Sequence, residues 1–200
     1  PLPFLTGTIC AHRCQNKCTR NFYDESIHIR DAKLVAAAHG YDALMASIRP
    51  TEKLPGKKAA IIGGGPTGIA AAYFLARGGV QTTIFEREEK LGGVPRYVIP
   101  AFRISDEALD KDVALMERLG VEVKCGAPAP SVAELKKMGY THILLATGAW
   151  QAGELGIPGN VRGVIAWMKE MKQQVKPCLE GHVVVVGAGN TAMDAARVAK

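Results

Sequence analysis

Lys57-Lys58-Ala59-Ala60-Ile61-Ile62-Gly63-Gly64-Gly65-Pro66-Thr67-Gly68-Ile69-Ala70-Ala71-Ala72-Tyr73-Phe74-Leu75 is the stretch on which the fold turns. Its apolar run Ala59–Ile62 reads as a buried strand, and a helical pattern opens at Pro66. Between them stands Gly63-x-Gly65-x-x-Gly68. Glycines at this spacing allow a tight turn, let backbone approach a pyrophosphate, and let the helix lie close on the strand. The amides at the start of the helix then face the anion, so Gly63, Gly64, Gly65, Pro66 and Thr67 are the candidate phosphate cradle. A second strand, Val80–Phe85, ends in Glu86, eighteen positions after Gly68. An acid at that place accepts hydrogen bonds from an adenosine ribose. Glycine turn, strand and acid together predict a dinucleotide site; the plain alternative is an α/β turn that holds no ligand.

Outward from this unit, the chain has 200 residues, of which 48% are hydrophobic and 22% charged. That composition fits a globular cytoplasmic protein with a sizeable core. No apolar run approaches the roughly 20 residues of a membrane span. The net charge of +6 is spread along the chain without interleaved aromatics, which speaks against nucleic-acid binding. The chain opens at Pro1 and stops at Lys200 inside a helical pattern, so it reads as a fragment.

Before the glycine turn, Cys10, Cys14 and Cys18 stand at regular spacing with His12 among them. Soft thiolates suit zinc or iron–sulfur clusters. The spacing is not that of common zinc pairs, and three cysteines do not complete a four-thiolate cluster. Ordinary buried thiols are the remaining reading. A helical pattern follows from Asp31 through Leu34, Ala38, Tyr41, Met45 and Ile48, with a possible break at Gly40. The proline-rich stretch Arg49–Gly56 marks a boundary near residue 55.

After Glu86, Gly92-Gly93 offers either a close approach for a ligand or a surface loop. Ser105 caps a helix with Leu109, Val113 and Met116 on its inner face, and Gly120 ends it. Val121–Lys124 is a short strand, Ser131 caps another helix, and His142–Ala146 is a strand running into Thr147-Gly148-Ala149. A strand ending there places backbone at the carboxyl edge of the sheet, where open α/β sheets bind ligands. A second signal begins at His182: the strand Val183–Val186, then Gly187-Ala188-Gly189-Asn190-Thr191-Ala192, 124 positions beyond the first turn. Two such turns imply two dinucleotide sites. The five histidines are scattered without a paired carboxylate or nucleophile, so no acid–base residue is assigned. Cys125 and Cys178 sit singly, and no CxxC redox pair follows the first unit, which argues against disulfide reduction.

The segments Thr6–Cys18, Ile61–Gly68, Ile99-Pro100-Ala101-Phe102-Arg103, Ala146–Trp150 and Gly187–Asp194 together resemble the flavoprotein family of the glutamate synthase small subunit. The amino-terminal half of dihydropyrimidine dehydrogenase is built from the same module. The cysteine segment is most similar to the branch named for selenate reductase subunits. The resemblance implies an α/β protein: a Rossmann-like FAD domain with an inserted NAD(P)-binding Rossmann domain, truncated here, preceded by part of a helical iron–sulfur domain. In this chain the divisions fall at 1–55, 56–155 and 156–200.

By the same resemblance FAD meets Gly63 to Thr67, Glu86, Val94, Arg103, the loop around Ala129, and Gly148. NADPH meets Gly187, Ala188, Gly189, Asn190 and Thr191. Cys10, Cys14 and Cys18 match three ligands of [4Fe–4S] clusters, while Lys33 takes the position of a helix-borne Gln or Glu ligand. The implied activity is that of an oxidoreductase moving electrons from NADPH through FAD to clusters and an electron-accepting subunit or domain. A ferredoxin-linked transhydrogenase flavin subunit is the rival enzyme, and a non-catalytic zinc- and dinucleotide-binding scaffold is the rival of another kind.

Overall fold

The computed structural model describes residues 1–151, 153, 156–174, 179 and 181–200; Cys178 lies outside them. Two helices come first, α1 (Pro3–Ile9) and α2 (Ile29–Ser47). Then follow β1 (Lys58–Ile62), α3 (Pro66–Arg77), β2 (Gln81–Phe85), α4 (Val94–Tyr97), α5 (Asp106–Glu117), β3 (Glu122–Lys124), α6 (Val132–Lys137) and β4 (His142–Leu145). Helices α7 (Val164–Gln173) and α8 (Asn190–Ala199) close the chain.

The four strands form one sheet in the order β3-β2-β1-β4, with every pair parallel. Parallel neighbours require crossovers, and α3 supplies the first of them between β1 and β2. Register places Ile61 opposite Ile84 and Ile62 opposite Phe85. Because side chains alternate across a strand, these pairs serve opposite faces. Ile61 and Ile84 join Ile69, Ala72, Ala76, Leu115 and Met116 in the main core under α3 and α5. Ala60 and Phe85 join Leu135 and Tyr140 on the other side.

Local signals placed most boundaries. The Ser105 hydroxyl accepts the Ala108 N–H at the start of α5. Ser131 and Glu134 form a reciprocal capping box at α6. Two expectations are corrected. Helix α2 runs through Gly40 without a break, because a single glycine costs a 19-residue helix only about 1 kcal/mol. Val183–Val186 is not a strand: a strand needs a neighbour for its amides, and among the described residues none lies beside it. Val183, Val184 and Val186 are accordingly open, with Val184 84% exposed, and Val185 alone of the four is half-buried.

The helical start is tied to the sheet by one buried acid. Asp112 of α5, 0% exposed, accepts the N–H of Phe4 at 3.0 Å and of Leu5 at 2.7 Å. Helix α1 has no cap of its own, and Asp112 satisfies two of its first amides from across the fold. Burial pushes the Asp112 carboxyl upward, with the two amide bonds opposing. The Phe4 ring meets Tyr41 of α2 edge to face, with centroids 5.5 Å apart.

Candidate functional site

The turn between β1 and α3 owes its shape to glycine. Gly63 has φ +106°, a region that strains any side chain, and a Cβ there would stand 2.3 Å from the Ala146 carbonyl oxygen. At Gly68 a Cβ would meet the Gly63 carbonyl oxygen at 1.9 Å. Both positions are glycine because backbone packs on backbone. Gly65 differs: its φ is an ordinary −75°, and its Cβ would meet nothing nearer than Gly93 Cα at 3.8 Å. Neither strain nor crowding inside the protein explains that glycine. It heads α3, whose N-terminus has no side-chain cap, so its first amides are open to an anion.

The acid at the end of β2 holds the turn. Glu86, 7% exposed, accepts the Gly64 N–H at 2.6 Å through Oε2 and the Glu88 N–H at 2.9 Å through Oε1. Gly92-Gly93 resolves into backbone-on-backbone packing. Gly92 N–H donates to the Gly64 carbonyl at 2.8 Å, and a Cβ on Gly93 would lie 2.8 Å from Gly65 Cα. Beneath this loop lies the buried guanidinium of Arg96, which donates to the Leu91 carbonyl and pairs with Asp110 and Asp106. Nothing local in the sequence marks Arg96 as that support.

These elements surround a cleft of about 570 Å³ at the carboxyl ends of β1, β2 and β4. Gly63, Gly65, Pro66, Thr67, Glu86, Val94, Ala129 and Gly148 of the expected residues line it. Gly64 stands behind the wall, bonded to Glu86. The sequence reading missed Arg87 as a lining residue, and it gave Pro128, Pro130 and Trp150 no separate role. The Arg87 guanidinium lies 5.2 Å from the Trp150 ring centroid at one end of the cleft. Among the described residues no His or Cys lines the cleft. Its volume, open glycine, uncapped helix and buried carboxylate fit a dinucleotide.

Arg103 is the exception among the expected residues. It lies outside the cleft, with Nε 3.5 Å from Asp194 Oδ1 of α8, and lines a smaller cavity of about 180 Å³ with Asn190 and Thr191. At the second turn Gly187 has φ +132°, and a Cβ on Gly189 would meet nothing within 4 Å. Helix α8 also begins without a side-chain cap.

The three amino-terminal cysteines are not gathered. Spacing of four would stack them on one face of an α-helix. The chain instead breaks into 3₁₀ turns at Gln15–Lys17 and Thr19–Phe22, with Cys18 extended between them. Among the described residues no three His, Cys, Asp or Glu side chains come together as a metal site. Cys10 and Cys14 are exposed, and Cys18 is half-buried. Backbone N–H groups of Ile27 and Arg20 hold the Cys18 thiol below its ordinary range. Lys33 is exposed on α2.

A parallel sheet ordered 3-2-1-4, with a glycine turn and acid at its carboxyl edge, defines a dinucleotide-binding domain of the doubly wound class. The chain belongs to the pyridine nucleotide-disulphide oxidoreductase family, whose model matches residues 57–200. It is 40% identical over 203 residues to YgfK of Escherichia coli K12, a protein named as an oxidoreductase, covering 99% of this chain and 20% of that one. It is 33% identical to the NADPH-Fe(3+) oxidoreductase subunit beta of Geobacter sulfurreducens, over 100% of this chain and 31% of that one. The glutamate synthase [NADPH] small chain of Mycobacterium tuberculosis is 31% identical, over 96% of this chain and 43% of that one. The chain thus spans between a fifth and less than half of these three relatives. No helix among the described residues is long and apolar enough to cross a membrane.

Proposed function

We propose that this chain is part of an NADPH-oxidising flavoprotein subunit, with FAD in the first cleft, NADPH at the second glycine turn, and a partner subunit or domain as electron acceptor. The observation that carries the reading is Gly65: a glycine without strain or crowding, at an uncapped helix start and beside a buried acid, leaves room for a pyrophosphate. The relatives' names, an NADPH-Fe(3+) oxidoreductase subunit and an NADPH glutamate synthase chain among them, point the same way. The corresponding division is a helical segment at 1–55, an FAD domain at 56–155, and the start of an NADPH domain at 156–200.

FAD, when bound, supplies acceptance of a hydride pair and release of single electrons. The chain's own residues bind and orient. The amides of Gly65 and Thr67 face the pyrophosphate, while Gly63, Gly64 and Pro66 shape the cradle, the first two giving their N–H groups to the Phe85 carbonyl and to Glu86. The free lone pairs of Glu86 take the adenosine ribose. Val94, Ala129 and Gly148 line the same cleft. Gly187 to Thr191 hold the second pyrophosphate at the start of α8. The carboxylate in the first cleft, Glu86, is committed to backbone amides, so we assign it to binding and leave the chemistry to the cofactor. For the intact protein we also propose that Cys10, Cys14 and Cys18 contribute to a [4Fe–4S] site once further ligands draw them together. A cytoplasmic location accompanies this reading.

The test is anaerobic mixing of the intact protein with NADPH, following loss of oxidised flavin absorbance. Wild type bleaches. Gly189→Val, whose side chain extends into space that the protein leaves open, keeps its flavin, resists NADPH and still bleaches with dithionite. A variant reduced as fast as wild type removes the second turn from the reaction.

A further inference from the structure

The glycine turn of the first cleft is held by backbone packing, but residues 88–99, which bring Gly93, Val94 and Pro95 to its lining, contain only one helix of four residues. A segment with so little regular structure keeps its place through bonds to its neighbours. Its middle is tied to the glycine turn, where the Gly92 N–H meets the Gly64 carbonyl. Its two ends are tied to α7. Lys169 donates through Nζ to Glu88 Oε1 at 2.6 Å, across 81 positions of chain, and the two side chains are 27% and 19% exposed. One turn on, Lys172 donates to the Ile99 carbonyl at 2.6 Å and to the Pro95 carbonyl at 3.4 Å. Burial lowers the Lys172 pKa, as befits an ammonium drawn in from solvent. Met168 of the same helix is buried in one apolar cluster with Val98, against which Val94 and Trp150 pack.

Glu88 is the junction of this arrangement. Its N–H donates to Oε1 of Glu86, the acid at the end of β2, at 2.9 Å. Its carbonyl accepts the Gly126 N–H at 3.0 Å, just before the stretch that brings Pro128, Ala129 and Pro130 to the cleft. Its carboxylate takes Lys169, with Arg87 Nε 3.6 Å from the same oxygen. The Lys169 ammonium also lies 5.5 Å from the ring centroid of Trp150, another lining residue. One lysine thus reaches the residue that binds both the ribose acid and the 126–130 stretch. Water competes less for a partly buried pair than for an exposed one, so this charge-assisted bond fixes geometry where a surface pair would not.

We infer that α7 is the clamp of the first cleft, and that Lys169, acting through Glu88, is a positioning residue that slows release of the dinucleotide held there. This inference rests on the reading of the first cleft as an FAD site. A wall fastened from behind changes how fast a bound group escapes more than how fast it arrives, and differences of affinity lie mostly in the release rate.

The test uses intact protein carrying Lys169→Met, Lys169→Arg, Glu88→Gln, or Lys169→Met together with Glu88→Gln. Rapid mixing of flavin-free protein with FAD gives the association rate, and transfer of bound FAD to an excess of a flavin-scavenging apoprotein gives the release rate. Release quickens about tenfold in Lys169→Met and in Glu88→Gln, the effect of one lost charge-assisted bond. Association changes by less than about threefold, and Lys169→Arg keeps most of the wild-type hold. The double variant releases FAD no faster than either single one, because the two residues act as a pair. Unchanged release in both single variants, or effects that simply add, overturns the inference. A second measurement needs no flavin: amide exchange over 88–99 in flavin-free protein rises in Lys169→Met. Exchange that stays at the wild-type level there overturns the clamp as well. Wild-type protein that takes up no FAD overturns the FAD reading instead, and exchange over 88–99 then decides alone whether α7 holds the segment.

Discussion

The carboxylate of Glu86 accepts the Gly64 N–H at 2.6 Å, so the acid expected to hold a ribose also holds the glycine turn. One side chain thereby links the end of β2 to the loop after β1. A hydrogen bond to a charged group contributes about 1.5–3 kcal/mol, and Glu86 makes two such bonds to backbone.

Glu86→Ala therefore acts twice. It lowers the thermal stability of flavin-free intact protein and weakens FAD binding, each by about 1.5–3 kcal/mol. Thermal unfolding without flavin and flavin titration separate the two effects. Unchanged unfolding in the variant dismisses the bond to Gly64; unchanged affinity removes Glu86 from the ribose site.

Gly65 and Gly68 look alike in sequence and should respond differently to alanine. Gly65→Ala alters flavin-free stability by less than about 1 kcal/mol, since its backbone is unstrained and its Cβ has space. It nonetheless empties the cleft of FAD. Gly68→Ala places a methyl 1.9 Å from the Gly63 carbonyl and unfolds the β1–α3 unit before any ligand is considered. Circular dichroism beside flavin content reads both. A stable Gly68→Ala protein with full flavin would contradict the packing.

Asp112 caps α1 from α5, and Asp112→Ala strands two buried amides at about 1–3 kcal/mol each. Denaturant unfolding measures the loss, and a change under 1 kcal/mol discards the capping role.

The same carboxyl has a pH signature. Burial raises its pKa in the folded state, so the folded protein holds that proton more tightly than the unfolded chain does. The stabilising contribution of the protonated group is complete below the unfolded value, about 3.9, and is lost as pH rises through the higher folded value. Stability compared between wild type and Asp112→Asn over the acid range should show the wild type losing ground to the variant as pH rises. A difference that is flat with pH refutes the raised value.

For the cysteines, replacing Cys10, Cys14 and Cys18 together by Ser in intact, anaerobically purified protein should remove iron and acid-labile sulfide while FAD remains. Stoichiometric zinc without sulfide in the wild type would favour the scaffold reading. Undiminished iron in the variant would place the ligands elsewhere.

The sequence alone determined those features in which neighbours along the chain decide the outcome. The Ser105 and Ser131 caps, the strand–glycine–helix unit at 58–77, and the acid closing β2 each depend on residues a few positions apart, where spacing and backbone preference suffice. Tertiary structure decided whatever required distant backbone to meet. Asp112 reaches α1 from 108 positions away, and Gly92-Gly93 closes on Gly64-Gly65, so neither contact leaves a local trace. Spacing also misled where partners were needed. Val183–Val186 has a strand's composition but no neighbour among the described residues for its amides. The cysteines are four apart, a helix's period, but Cys10 follows the end of α1 while Cys14 and Cys18 flank 3₁₀ turns. Arg103, conspicuous as part of a motif, took its partner from a helix some ninety residues downstream. An arginine's sequence fixes its charge and reach, while the packing of α8 decides which carboxylate stands in front of it.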